Sequence, residues 1–74
     1  MTKQEILASL ERKHERAVYY LSDQLVGLAQ TMIQEPTWVP SVAHLSTIIV
    51  QRERVESAAD ALSLARELLA AEGN

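Results

Sequence analysis

Glu11 and His14 stand in the Glu-x-x-His spacing with which helical di-iron carboxylate bundles hold their metal. On a helix this spacing places a carboxylate and an imidazole on one face, and two copies of the chain would bring two such pairs. A complete site also needs a further inward glutamate from another helix, and at the matching level the chain offers Asp60, Ala61 and Leu64. Arg12, Lys13 and Arg16 surround the pair with positive charge, which opposes a cation. The reading is therefore no metal and no cofactor, with His14 a boundary residue and His44 a solvated or capping side chain. No cysteine, no glycine-rich phosphate loop and no serine, histidine and acid set at a readable spacing is present, so no enzyme is expected.

The remaining polar candidates point to binding rather than reaction. Arg12, Lys13 and Arg16 form the densest basic cluster, which Arg66 can approach from the other half of the chain. Such a patch suits phosphates or an acidic protein surface, but Glu11 and Glu15 interleave with it, so the favoured reading is a charged solvated face. Tyr19 and Tyr20 point about 100° apart on a helix, so at most one reaches a core. Trp38 and Val39 either plug the end of a bundle, the favoured reading, or stand out as an interface anchor.

The elements that must position these residues are two helical arms. Glu35–Ser41 carries Pro36 and Pro40 and divides a helical pattern into stretches of about 3–34 and 41–72, with 35–41 as the hinge. Thr2 and Glu5 have the spacing of a capping box, with the threonine hydroxyl on an orphan amide and the glutamate reaching back to the cap. The second arm begins after an N-cap at Ser41, or earlier with Thr37 as cap and Pro40 in the first turn, and Gly73 ends it. Whether the first arm runs unbroken through Ser22–Gly27 is open, with a continuous helix favoured.

Apolar residues recur in steps of three and four along both arms. In the first they fall at Leu7, Leu10, Ala17, Leu21, Leu25, Leu28 and Met32, with His14 filling a gap. The step changes at Leu21, so the arm does not read as a strict heptad repeat. In the second they fall at Val42, Leu45, Ile48, Ile49 and Val55, then Ala59, Leu62, Ala65 and Leu69. Arg52 interrupts that row. If paired positions sum to about 75 it lies level with Asp23, either in a register-fixing ion pair or, as favoured, with its guanidinium in water.

The chain has 74 residues, of which 47% are hydrophobic, with no cysteine and no phenylalanine. A single core of this size is marginal and disulfides are excluded, so the apolar faces imply a second copy. The expected architecture is all-α: an antiparallel helical hairpin forming one domain and pairing into a homodimeric four-helix bundle. A net charge of -3 makes nucleic acid a poor default partner. No apolar run is long enough to span a bilayer and the first residues lack a signal peptide's apolar segment, which reads as a cytoplasmic chain without a membrane partner.

In length and expected shape, and in the opening Thr2-Lys3-Gln4-Glu5, the chain resembles the Rop-like plasmid RNA-binding regulators, which are dimers of helical hairpins. It departs from them in its hinge, which holds two prolines and a tryptophan, and in lacking a matching set of RNA-contacting side chains. By type it is similar to the small regulators encoded by phages and plasmids that bind and block a host factor. The leading expectation is a non-enzymatic regulatory protein that binds another protein through its helical faces and hinge. The alternatives are a Rop-like RNA binder using Arg12, Lys13 and Arg16, and a helix-turn-helix DNA binder if the first arm breaks near Ser22.

Overall fold

Helix α1 starts where Thr2, in extended conformation, accepts the amide of Glu5 on its hydroxyl at 3.1 Å and the amide of Ile6 on its carbonyl at 3.0 Å. The Glu5 carboxylate meets the same hydroxyl at 3.2 Å, so it reaches the cap's side chain rather than its backbone amide. In the computed structural model, which describes residues Met1–Gly73, α1 spans Lys3–Gln34 and α2 spans Val42–Gly73. No strand occurs among the described residues. The two helices pack antiparallel along their length, and among the described residues no helix is long and apolar enough to cross a membrane.

Helix α1 is continuous through Ser22–Gly27, because one glycine without a proline or a cluster of turn residues does not supply a stop. With no break near Ser22, the first arm does not form the short turn that a helix-turn-helix requires. Pro36 ends the helix: the last bond runs from the Glu35 amide to the Thr31 carbonyl at 2.8 Å, and the Trp38 amide then closes a turn on the Glu35 carbonyl at 2.9 Å. Ser41, not Thr37, caps α2. Its hydroxyl accepts the His44 amide at 3.3 Å and lies 2.6 Å from His44 Nδ1, so His44 occupies the place that glutamate fills in a capping box.

The seam of the hairpin follows a strict heptad. Half-buried positions along the seam of α1 run Leu7, Leu10, His14 and Ala17, then Leu21, Gln24, Leu28 and Thr31, alternating steps of three and four without a shift, with Ile6, Ala8 and Ser9 also half-buried near its start. Those on α2 run Ile48, Gln51, Val55 and Ala58, then Leu62, Ala65 and Leu69, with Ala59 beside them. The change of step expected at Leu21 therefore does not occur in the seam. Polar Gln24 and Thr31 hold the places expected of Leu25 and Met32, and Gln51 holds the one next to Arg52. Leu28 and Ile48 share one wall and Ala17 and Ala58 another, so facing positions sum to about 75, as the hinge position implies. By that register Gln24 and Gln51 fall at one level.

This seam buries little. Leu62, 7% exposed, is the one buried hydrophobic residue among those described. The molecule measures 58 × 17 × 16 Å with a radius of gyration of 17.0 Å, against about 11 Å for a compact chain of this length. Its accessible surface of 5812 Å² exceeds by roughly 1,300 Å² what a folded monomer of 8.2 kDa exposes.

Candidate functional site

One ion pair sorts the surface into two sides. Arg66 Nη2 lies 3.4 Å from Glu11 Oε1 across the helices. Steps of seven from Glu11 lead to Val18, Leu25 and Met32, and steps of seven back from Arg66 lead to Ala59, Arg52 and Leu45. Since the first members meet, these two flanks share one side of the hairpin. Val42 and Ile49 lie one row further out on the same side.

That side is apolar toward the hinge. Val18, Leu25, Met32, Val42, Leu45 and Ile49 are all exposed there, Leu25 at 47% and Val42 at 79%. Four of the expected core or dimer residues, Leu25, Met32, Leu45 and Ile49, thus lie outside the hairpin's own seam, while Leu10, Ala17, Leu21, Leu28, Ile48, Val55, Ala59, Leu62 and Leu69 line it. Arg52 sits within the exposed face and donates from Nε to Glu56 Oε1 at 3.2 Å, one turn along its own helix, with the side chains 74% and 62% exposed. No pair forms between Arg52 and Asp23. The register is the expected one, but Arg52 projects from the flank of α2 rather than its seam, where a guanidinium stays hydrated and takes the nearest carboxylate.

The opposite side holds two concavities. Lys13, Arg16 and Tyr20 of α1 meet Arg54 of α2 around a notch of about 280 Å³, floored by Ala17 and Gln51. Among the described residues none of these three cations has an acidic partner within 4.0 Å. Arg66 does not join them, being held by Glu11 on the other side, and Arg12 is exposed outside the notch. Arg54 was not legible as a member of the cluster from local charge density. Steps of seven reveal it, since Lys13 and Tyr20 on α1 and Thr47 and Arg54 on α2 form the second pair of flanks.

Nearer the hinge lies a cleft of about 370 Å³ between Leu28 and Ile48, with Gly27, Thr31, Thr47 and Gln24 in its wall. Trp38 is half-buried and closes its end, the ring edge-on to His44 with centroids 5.7 Å apart. Val39 is exposed. Tyr19 and Tyr20 are both exposed and touch edge to face at 6.0 Å, so neither enters the seam. Glu11, drawn to Arg66, and half-buried His14 gather no further ligand, and no group of three His, Asp or Glu side chains arranged for a metal occurs among the described residues.

No family model, curated protein or solved structure matches this chain. The functional reading therefore rests on the two sides of the hairpin.

Proposed function

We propose that the chain is a small non-enzymatic regulatory protein that works by binding another protein, and that it does so as a homodimeric four-helix bundle in the cytoplasm. The observation that carries this reading is the exposed apolar face made by Val18, Leu25 and Met32 of α1 with Val42, Leu45 and Ile49 of α2, interrupted by Arg52. A lone hairpin leaves that face in water. The excess surface of roughly 1,300 Å² per chain, if covered by a second copy, corresponds to a total in the range of obligate homodimers. The Leu25 face then forms the dimer core, and the opposite side, with Tyr20, Lys13, Arg16 and Trp38, remains for the regulated protein together with the exposed Val39 of the hinge. The shallow notch and cleft, without a catalytic set in either, support binding over reaction.

Affinity capture with the tagged chain from its native host, with the recovered protein identified and its complex reconstituted from purified components, tests the regulatory reading. Stoichiometric binding that inhibits or alters the recovered protein's activity is the expected result. Reconstitution failure with every recovered protein would contradict it.

A further inference from the structure

Gly27 occupies the interior of α1, where glycine costs about 1 kcal/mol relative to alanine. Nothing in the hairpin requires it, since a Cβ built there meets no atom within 4 Å. The space above it belongs to the cleft, whose wall includes Gln24; the Gln24 Oε1 atom is itself buried beneath that wall, without a hydrogen-bond partner. Its polar neighbours are engaged: the Thr31 and Thr47 hydroxyls donate to the carbonyls of Gly27 and Ala43 at 3.0 Å each, and His44 Nδ1 contacts Ser41. The cleft thus combines apolar walls with one place where a foreign backbone can approach closely.

Along the same side, from Gly27 back to Arg16, lies the basic notch, about 16 Å away at 1.5 Å per residue. Three unpaired cations concentrated in a chain of net charge -3 make this spot complementary to carboxylates. A groove between two helices accepts a third helix most readily, because the occupant satisfies its own backbone and offers side chains at regular spacing. Nucleic acid fits less well: three cations supply little of the phosphate neutralisation it needs, and the apolar cleft contributes nothing to a backbone of phosphates.

We propose that the Gly27 side of the hairpin docks an acidic amphipathic helix of another protein, whose apolar residues enter the cleft at Gly27 while carboxylates three turns away meet Lys13, Arg16 and Arg54. This rests on the reading of the chain as a protein-binding module, but uses the side that the Leu25 face leaves free. Gly27 is kept small so that the incoming helix can approach.

The test is fluorescence anisotropy of a labelled helical peptide of about 20 residues, titrated with the full chain at low salt. The peptide carries two leucines one turn apart, and two glutamates three turns along the same face. Saturable binding is expected, weakened roughly tenfold or more by Gly27→Leu, by the double change Arg16→Glu and Arg54→Glu, and by glutamine in place of the peptide's glutamates. Circular dichroism on the same samples checks folding; Gly27→Leu fills open space and keeps its helicity, and the arginine changes lie on the surface. No saturable binding, binding indifferent to both sets of changes, or equal displacement by a single-stranded RNA oligonucleotide overturns the proposal. Sedimentation of the same samples separates this from the dimer, whose loss would leave a peptide affinity sensitive to Gly27 and Arg16.

Discussion

Arg66 and Glu11 are joined at 3.4 Å, and this is the one ion pair among the described residues that crosses from α2 to α1. Its importance is geometric. Both side chains are about half exposed, so solvent screens the attraction, and pairs of this kind contribute about 0–1 kcal/mol. Arg66→Ala is expected to lower the unfolding free energy by less than about 1 kcal/mol, with the difference shrinking at high salt, as urea titrations at two ionic strengths would measure.

Gln24 gives a change of opposite sign. Its Oε1 is buried with no partner, and leucine at this heptad position fills the same place without an orphaned acceptor. Gln24→Leu is expected to stabilise the free protein by on the order of 1 kcal/mol, seen as a raised urea midpoint at unchanged slope. An unchanged or lowered midpoint would mean that the amide is satisfied in solution.

The cap of α2 predicts a coupled pair. Ser41→Ala removes the acceptor for the His44 amide and is expected to cost about 1 kcal/mol. Because the Ser41 hydroxyl also contacts Nδ1 of His44, a double-mutant cycle of Ser41→Ala with His44→Ala should show a favourable coupling energy. Additive effects would show that the imidazole contributes nothing to the cap.

These sites also mark how far the sequence could be read. The hinge prolines, the Thr2 and Ser41 caps and the lengths of the arms are local signals, and their positions agree with the helices to within a residue. The seam was harder. From Leu21 onward two tracks fit a helical period, one through Leu25 and Met32 and one through Gln24 and Thr31, and apolarity favours the first. The hairpin uses the second because the heptad set by Leu7, Leu10, His14 and Ala17 continues on a straight helix. Apolarity marked the residues left over for another surface. The same ambiguity on α2 hid the fact that Gln51 lies in the seam and Arg52 on the flank, and hid Arg54 as the third cation of the notch.

Gly27 supplies a prediction for folding alone. With nothing within 4 Å of a Cβ, Gly27→Ala removes the entropic cost of a helical glycine without a clash and is expected to stabilise by up to about 1 kcal/mol, measured by thermal unfolding. Destabilisation would imply that another chain already approaches this position in the protein's resting assembly.

The proposed dimer would cover the Leu25 face with a second copy. Sedimentation equilibrium of the purified chain tests it most directly, comparing the unaltered protein with Leu25→Lys combined with Ile49→Lys, both surface changes in the hairpin itself. Twice the 8.2 kDa chain mass is expected for the unaltered protein, and a shift toward the single-chain mass for the variant. A single-chain mass for the unaltered protein at micromolar concentration, or a dimer indifferent to both lysines, would contradict it.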